Sequence, residues 1–444
     1  MNGAKTIPDA PAEWLKPHSG RPIPAADLCY DLELITPLFG GGAQTRTPDQ
    51  DLPIRPTSIR GQLQFWWRAT VGATSSTVQD LRQAQTALWG NTEVASSVEL
   101  WLETYRAGSP QPCASFERDW KDPNRYRSMP TWNPPFGGSA LPYALFPFQG
   151  QLGSGRTRIE VEPARCILQA SFRLCLRCPP QKRSEVEQVV RTWVVFGGLG
   201  SRTRRGCGSI RCKTLDPKDR QDLIGVLQSY RQDQPVRDWP TLAKAILIGP
   251  ENTNPLAAWN EVISLLRDFR QGVGLGRNPG QDPKRPGRSR WPEPETIRRV
   301  TQQRHFGHQP LSRIPSHAFP RAEFGLPIVF HFKDKGDPQD TVLYPGPGSN
   351  GSPRDRMASP LILKAVALQN GRYVPMIVCL RVPELTEVDL RRNGIPLPLP
   401  RPTLIRDPSL ASYPNSPLAN RTRQGSALEA FLAFAQSRNF QRVV

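Results

Sequence analysis

The stretch GGLGSRTRRGCGSI, residues 197–210, places three arginines in a glycine-rich segment. Glycine tolerates positive φ and lets another chain approach closely, and the forked guanidinium donors of arginine suit phosphate. This glycine-arginine loop is therefore predicted to lie against an RNA or DNA backbone, with contacts to phosphate or sugar rather than base edges. The residues expected to contact RNA are Gly200, Ser201, Arg202, Thr203, Arg204 and Arg205.

Two nucleotide-binding motifs do not fit this loop. The G-x-G-x-x-G spacing fails at Thr203, and Gly206 is followed by Cys207 where a Walker loop has lysine. The remaining alternative is a solvated basic turn, because charged runs usually face water.

A second basic segment, residues 277–321, holds ten Lys or Arg against three Asp or Glu, and it includes Trp291 and Phe306. Cations that hold phosphate, interleaved with rings that stack on bases, are typical of single-strand binding. The predicted contacts are Arg288, Arg290, Trp291, Arg298 and Arg299. A disordered basic loop is the alternative.

Metal binding is not expected. Cys175 and Cys178 form a C-x-x-C, and with Cys207 and Cys212 a zinc site is conceivable. However, residues three apart in a strand point to opposite faces, which favours ordinary thiols. The pair His305 and His308 has no carboxylate or cysteine beside it in the sequence. We predict no metal and no cofactor.

The first half predicts the elements that would position the loop. Alternation of apolar and polar residues predicts strands over 28–37, 96–103, 165–178 and 209–213. Helices are predicted over 55–72, capped by Thr57 or Ser58, over 77–90, and over 184–196 with a Ser184–Glu187 capping box. The order is β-α-β-β-α-β, the ferredoxin-like arrangement, with an extra helix and an insertion over 107–163, where only a hairpin near 143–150 is suggested.

The first of these helices presents two faces. Ile59, Leu63 and Trp66 share an apolar face that is expected to be core. Trp67 lies between core edge and contact surface and is predicted to contact RNA. Arg60 and Arg68 lie on the polar side and are predicted to contact RNA, since helix N-termini favour phosphate.

The second half predicts a second sheet. Strands are predicted over 241–249, 326–332, 360–369 and 373–382, and helices over 254–272, capped by Asn254, and 425–437. The predicted fold class is α+β, with two ferredoxin-like domains in tandem and long Pro- and Gly-rich insertions. The predicted ranges are an N-terminal extension over 1–27, a first domain over 28–215, and a second, degenerate domain over 216–444 that carries the basic insertion 277–321.

Composition narrows the class of protein. The formal net charge of +19 predicts attraction to polyanions. The N-terminal residues lack the apolar core of a signal peptide, and no run approaches the ~18 apolar residues that span a bilayer. We expect a soluble protein of the prokaryotic cytoplasm, without a membrane partner.

The glycine-arginine loop after the last helix of such a domain resembles the signature loop of the RAMP superfamily of CRISPR RNA-binding proteins. The pairing of ITPLFGGG with LPIRPTSIRGQLQFWWRA is similar to the first-named subunit family of the type III-B Cmr effector complex. Further similar pieces are GRSRWPEPETIRR, FPRAEFGLPIVFHFK and ASPLILKAV. The resemblance is specific at IRGQLQFWWRA and the loop, and weak over 107–163 and in the C-terminal third.

This resemblance implies two RAMP domains and a non-catalytic, RNA-binding role at the end of the complex that holds the crRNA 3′ region. The implied partners are crRNA, target RNA, the neighbouring RAMP cap subunit and the repeated backbone subunit, which carries the target-cutting aspartate in this family.

Two alternatives remain. A RAMP-type endoribonuclease that processes CRISPR repeat RNA would need an acid and a base, usually histidine. The five histidines lie outside the first domain's motifs: His18, His305, His308, His317 and His331. A general RNA-recognition protein would carry an aromatic strand motif, which 28–35 and 165–178 lack.

Overall fold

The computed structural model describes residues 25–230, 237–280, 287–310, 317–347, 352–399, 403–413 and 415–444. Most of the predicted N-terminal extension, with His18, and residues 281–286 and 311–316 of the basic insertion lie outside the described residues. The described part mixes helices and sheets, which confirms the predicted α+β class. It contains no helix long and apolar enough to cross a membrane.

A four-stranded antiparallel sheet forms the first half. In chain order its elements are β1 (Leu28–Leu34), α1 (Pro56–Ala69), α2 (Val78–Trp89), β2 (Glu99–Ala107), β3 (Ala170–Arg177), α3 (Arg183–Phe196) and β4 (Ile210–Arg211). The strands lie side by side in the order β4-β1-β3-β2, and every neighbouring pair is antiparallel. The helix α4 (Arg220–Ser229) follows.

The second half repeats this order. In chain order its elements are β5 (Thr241–Ile248), α5 (Pro255–Gln271), α6 (Glu293–Thr301), β6 (Leu361–Ala367), β7 (Tyr373–Arg381), α7 (Ala427–Gln436) and β8 (Gln441–Arg442). The strands lie in the order β8-β5-β7-β6 and are antiparallel. In both halves the fourth, first, third and second strands of a β-α-β-β-α-β run are therefore neighbours.

The residues of β6 show how the two halves stack. Ile362 and Val366 are buried in one cluster with Trp66 of α1 and Val190 of α3. Leu361, Leu363 and Ala365 are buried in a second cluster with residues of α5 and α7. Because successive side chains in a strand point to opposite faces, the second sheet is covered on both faces. The layers are the first sheet, α1 with α3, the second sheet, and α5 with α7.

The outer face of the first sheet remains open. Cys29, Asp31 and Glu33 of β1 alternate with buried leucine and tyrosine and are exposed. Arg173 of the neighbouring strand donates to both carboxylate oxygens of Asp31, at 2.8 and 3.0 Å. Water screens exposed ion pairs of this kind, so they stabilise the fold little, and the alternating exposed side chains make this face a solvated surface.

Helix starts differ from the sequence prediction at two places. The helix α1 begins at Pro56, after an extended Arg55 that makes no side-chain cap bond, so neither Thr57 nor Ser58 caps it. Proline suits the first helical position because its missing N–H would have no partner there. The predicted Ser184 capping box is also wrong, since α3 already begins at Arg183.

The predicted cap of α5 is correct. The side chain of Asn254 accepts a hydrogen bond from the backbone N–H of Leu256 at 2.8 Å.

The predicted strand over 165–178 divides in two: Arg165–Ile167 pairs with Leu38–Phe39 and with Gln111–Pro112, outside the main sheet. The predicted hairpin near 143–150 is instead the short helix Leu141–Leu145 followed by a 3-10 turn.

The predicted strand over 326–332 does not join the second sheet. Residues Ile328–Phe330 pair with Thr341–Pro345 in a separate small sheet that also contains Val388–Arg392 and Ile395–Pro396. The apolar side chains Phe330 and Leu343 are buried there against Ile297 of α6, in a core of their own. The strand lies outside the second sheet because its apolar side chains are buried in this third core instead.

Candidate nucleic-acid interface

Two adjoining cavities lie between α1 and the glycine-arginine loop, and we call them together the α1 groove. The first has a volume of about 280 Å³ and lies at the start of α1, where Arg55 and Ser58 face Gly200, Ser201 and Gly41. The second, about 180 Å³, lies further along the helix between Phe65, Trp66, Gly197, Thr203 and Arg204. Gln62 lines both.

The first cavity has the features of an anion site. The backbone N–H groups in the first turn of a helix have no partners within the helix, and they attract phosphate. Arg55 immediately precedes this turn and forms a 3.0 Å ion pair with Asp49. Hydrogen bonds from the backbone N–H groups of Leu52 and Asp51, together with Arg55, hold the pKa of Asp49 below its usual range. In α1, however, Pro56 has no N–H and the N–H of Ser58 donates to the backbone oxygen of Arg55 at 3.0 Å. The arrangement therefore places the guanidinium of Arg55 beside the glycine-arginine loop.

The glycines of the loop allow close packing on both halves of the protein. Gly200 has φ +73°, and a Cβ there would lie 2.4 Å from the backbone oxygen of Phe39. Gly206 has φ +83°, and a Cβ there would lie 2.4 Å from Nε1 of Trp259 in α5. A side chain at either position would be strained and would collide, so the loop requires glycine at both.

The arginines of the loop have partners inside the protein. Arg204 donates to the backbone oxygen of Ser359, and Arg205 donates to that of Leu361 in β6 at 3.2 Å. Nε1 of Trp259 donates in turn to the backbone oxygen of Arg205 at 2.6 Å. Burial lowers the pKa of Arg202, Arg204 and Arg205, to about 10 for Arg205, so Arg205 stays charged at neutral pH. Two of them thus tie the loop to the second half.

Contacts of these arginines with RNA stay a prediction. Arg204 lines the second cavity, so its guanidinium lies at the groove even while it bonds to Ser359. Arg202 lies in the left-handed region with φ +58°. Its guanidinium lies 5.9 Å from the ring centroid of Phe148.

Lys364 of β6 also holds the loop, and sequence reasoning missed it. Its Nζ is fully buried and donates to the backbone oxygens of Val194 and Gly197, at 3.0 and 2.8 Å. These acceptors are at the C-terminal end of α3, where a positive charge is favourable. Burial lowers the pKa of Lys364 to about 7. The signal in the sequence was a single lysine inside the apolar strand LILKAVA.

Arg60 and Arg68 lie on a different side of α1 from the groove, which corrects their predicted placement. Arg60 donates to the backbone oxygens of Val98 and Trp89, at 3.1 and 3.4 Å. Arg68 donates to Oε1 of Gln85 in α2 at 3.0 Å. Both side chains pack α2 and the loop after it against α1. The sequence correctly predicted which side of α1 is polar, but α2 packs over that side.

The neighbouring tryptophans are both buried. Trp66 is 2% exposed, as expected for a core residue, although it also forms a wall of the second cavity. Trp67 is 3% exposed, and its Nε1 donates to Oε1 of Glu185 at 2.6 Å. An RNA contact by Trp67 does not fit this position, because its ring is enclosed and its one donor is used.

Trp291 is also part of the core, contrary to its predicted role in base stacking. It is 1% exposed, packs edge-on against Phe269, and donates from Nε1 to the backbone oxygen of Arg270 at 2.9 Å. Of the two aromatic residues named in this basic segment, Trp291 therefore points into the core, whereas Phe306 is 93% exposed.

The predicted arginines of this segment form internal contacts. Arg298 makes two bonds to Asp337, at 2.9 and 2.7 Å, and its side chain is 8% exposed, which leaves no room for the predicted phosphate contact. Arg288 and Arg299 lie 3.6 and 3.7 Å from the buried carboxylate of Glu295. Arg290 donates to Oδ1 of Asn278 at 2.7 Å and to the backbone oxygen of Gly274. For Arg288, Arg290 and Arg299 the phosphate contacts stay a prediction.

The cysteines and histidines are arranged differently from either zinc alternative. Sγ of Cys175 lies 2.8 Å from Sγ of Cys29 on the neighbouring strand. His308 has two carboxylates beside it, Asp337 at 3.1 Å and Asp334 at 3.2 Å, which the sequence spacing did not reveal. Among the described residues these three form the group that could hold a metal ion. Both oxygens of Asp337, however, already accept hydrogen bonds from Arg298.

Residues 31–211 match the family model of the RAMP superfamily. The matched segment includes all of α1 and the glycine-arginine loop, so most walls of the α1 groove lie within it. The match confirms the RAMP resemblance inferred from the sequence.

Three individual relatives each share at most a quarter of their aligned residues with this chain. The chain is 25% identical over 198 residues to the CRISPR system Cmr subunit Cmr1-2 of Pyrococcus furiosus, and this alignment covers 43% of the chain and 96% of that protein. A crystal structure of Cmr1 from Pyrococcus furiosus in the apo form is similar at 15% identity and a TM-score of 0.45, over 94% of this chain and 98% of that chain. A chain in a cryo-EM structure of the type III-B Cmr-beta bound to cognate target RNA is similar at 10% identity and a TM-score of 0.43, over 84% of this chain and 96% of that chain.

Proposed function

We propose that this protein is a non-catalytic, RNA-binding subunit of a type III-B Cmr effector. In this proposal it caps the end of the complex that holds the crRNA 3′ region and helps to capture target RNA. Its partners are crRNA, target RNA, the neighbouring RAMP cap subunit and the repeated backbone subunit. Two findings support this assignment: the 25% identical relative is named as a Cmr subunit, and residues 31–211 match the RAMP family model.

The observation that carries the proposal is the α1 groove. One wall is the start of a 14-residue helix with Arg55 beside it, and the other is the glycine-arginine loop. Glycine backbone that another chain can approach closely and guanidinium groups that donate to phosphate both suit an RNA backbone. The net charge of +19 adds a long-range attraction that does not depend on sequence.

We further propose that the chain is a tandem pair of ferredoxin-like domains, with the boundary near 215–216. The repeated strand order of the two sheets supports this division. In this arrangement the second domain holds the glycine-arginine loop in position. Its strand β6 supplies the acceptor for Arg205 and the ammonium of Lys364, and these bonds hold the glycine-arginine loop in the shape that lines the groove.

The complex is tested by copurification. The tagged full chain, expressed in its own organism, should bring down other RAMP subunits and a short guide RNA. The same preparation, incubated with CRISPR repeat RNA, should leave it intact. Cleavage that one point substitution in this chain abolishes would replace the proposal with the processing endoribonuclease.

The groove is tested by the salt dependence of RNA binding. Each phosphate contact contributes roughly 0.7 to the slope of log affinity against log salt for single strands. Arg55→Ala should lower the slope by about that amount for unrelated RNA sequences. Arg125→Ala is the matched control, because Arg125 forms a similar exposed pair with Asp122 in the insertion. Equal slopes for wild type and Arg55→Ala would refute the groove as the phosphate site.

A further inference from the structure

Two thiols meet on the open face of the first sheet, and the proposed function does not use them. We propose that Cys29 and Cys175 form an oxidation site, at which a peroxide converts the two thiols into a disulfide between β1 and β3. Cys29 reacts with the peroxide, and Cys175 then completes the bond. This inference goes beyond the proposed RNA binding and does not depend on it.

The pairing of the strands brings the two side chains together. Cys29 of β1 lies directly opposite Cys175 of β3, so both side chains point to the same face of the sheet. Their Sγ atoms are 2.8 Å apart, and a disulfide of about 2.05 Å requires them to approach by only about 0.8 Å. Opposite Cα atoms in antiparallel strands are about 4.5–5.5 Å apart, within the range of about 4.4–6.8 Å found in disulfides. The bond can therefore form without rearranging the sheet.

Access to an oxidant differs between the two thiols. All eight cysteines lie within the described residues, and Cys29 alone among them is exposed. Cys175 is fully buried, because it lies between Cys29 of β1 and Trp101 of β2, the residues opposite it on its two neighbouring strands. A peroxide dissolved in water therefore reaches Cys29 first.

The protonation of Cys175 agrees with this order. Burial is the largest cause, and the neighbouring Cys29 the next, of a rise in the pKa of Cys175 to about 12. Cys175 therefore keeps its proton at neutral pH. Because the thiolate is the form that attacks an oxidant, Cys175 is the second thiol to react rather than the first.

The reaction balances with hydrogen peroxide as the oxidant. The thiolate of Cys29 attacks one oxygen, the O–O bond breaks, and the departing hydroxide takes up the proton that Cys29 released and becomes water. Sγ of Cys29 is now a sulfenic acid. Sγ of Cys175 attacks this sulfur, its proton passes to the departing hydroxyl to give a second water, and the S–S bond forms. The two sulfurs together lose the two electrons that reduce the peroxide.

The other cysteines lack this combination of contact and exposure. Cys178, three residues along the chain, is buried in the first core cluster, since residues three apart in a strand point to opposite faces. Cys113, Cys166 and Cys207 are buried in the second core cluster. Peroxide should therefore produce one specific disulfide rather than a mixture.

The test uses the purified full chain, freed of reductant and treated with a small excess of hydrogen peroxide. The remaining thiols are alkylated in denaturant and counted by intact mass, and the bonded cysteines are identified by peptide mapping. Wild type should lose two of its eight free thiols, in a disulfide that joins Cys29 to Cys175. Dithiothreitol should restore both thiols.

Three variants separate the roles of the two cysteines. Cys29→Ser should keep every remaining thiol under the same treatment. Cys175→Ser lacks the second thiol, so its oxidation should stop at the sulfenic acid of Cys29, which dimedone labels. Cys178→Ser is the matched control, because it removes a buried thiol from the other face of the sheet and should form the same disulfide as wild type.

Three results would overturn the oxidation site. The first is a wild-type chain that keeps all its free thiols after the peroxide treatment. The second is a disulfide that still forms in Cys29→Ser, since it would join other cysteines. The third is a disulfide-linked dimer of wild type on a non-reducing gel, since Cys29 would then react between chains. Cys29→Ser changes an exposed side chain, so the test stays valid if Cys175→Ser fails to fold.

Discussion

Replacing Lys364 by methionine should remove a large pH dependence from the stability of the protein. Burial lowers the pKa of Lys364 to about 7 in the folded chain, against the ordinary value of 10.5. Between these two values the unfolded chain therefore binds more protons than the folded one. The free energy of unfolding must then rise with pH across this window, and the penalty for burying the charge is complete below pH 7.

The magnitude follows from the difference between the two pKa values. One pKa unit corresponds to about 1.4 kcal/mol, so the full effect is at most about 5 kcal/mol, most of it between pH 7 and 10. The pKa of about 7 already includes the charge of nearby Asp216, which favours the ammonium. Lys364→Met keeps the length of the side chain and lacks the titrating group, so the difference in unfolding free energy between wild type and variant should change by several kcal/mol over this range.

The assay is urea denaturation at a series of pH values from 6 to about 10, followed by circular dichroism. Lys213→Met, at an exposed lysine, is the control and should show the wild-type dependence. Taking the difference in unfolding free energy between the variants removes the contribution of the cysteines and tyrosines that titrate in the same pH window. A Lys364→Met variant whose stability follows pH in parallel with wild type would refute the reasoning, since the lysine would then titrate alike in both states.

Three further substitutions test the positions of residues around the groove and in the basic segment. Gly200→Ala should weaken RNA binding and lower the melting temperature, because its Cβ would meet the backbone, whereas Gly138→Ala, with φ +70° and open space around it, should keep RNA binding; equal binding by both would contradict the required loop shape. Arg298→Ala should cost about 3–5 kcal/mol in denaturation, because it leaves the carboxylate of Asp337 buried without its arginine and with His308 and a backbone N–H beside it; a cost below 1 kcal/mol would show that the pair is solvated. Trp291→Ala should cost about 3–5 kcal/mol as a core truncation, and a stable variant that only loses RNA affinity would restore the stacking role.

The sequence predicted the four strands of the first sheet and three of the four strands of the second because their apolar periodicity is strong, but it did not predict the two-residue strand β8. The strand LCYDLEL and the helices with Trp66 and Trp259 were found at the right places, since burial on one face leaves a regular pattern. The helix starts were less certain, because Pro56 and Lys182 set them without a side-chain cap.

The composition of the basic segment was misleading for a physical reason. A count of charges does not show that Asp337, outside the segment, pairs with Arg298, or that Glu295 gathers several arginines at once. Likewise, the polar stripe with Arg60 did not reveal that α2 lies over it. The groove residue Phe65 was hidden beside Trp66, because adjacent aromatic residues look alike in a pattern although they point in different directions on a helix.

The bonds between the glycine-arginine loop and β6 also set an order of events during synthesis. Arg205 and its acceptor Leu361 are 156 residues apart in the chain. At about 5–20 residues per second, a ribosome needs roughly 8–30 s to pass from one to the other. During that interval the loop has no anchor on its second side, and the emerging chain does not yet have the finished groove. Under the proposed function, capture of RNA would thereby wait until the second half of the protein has been made.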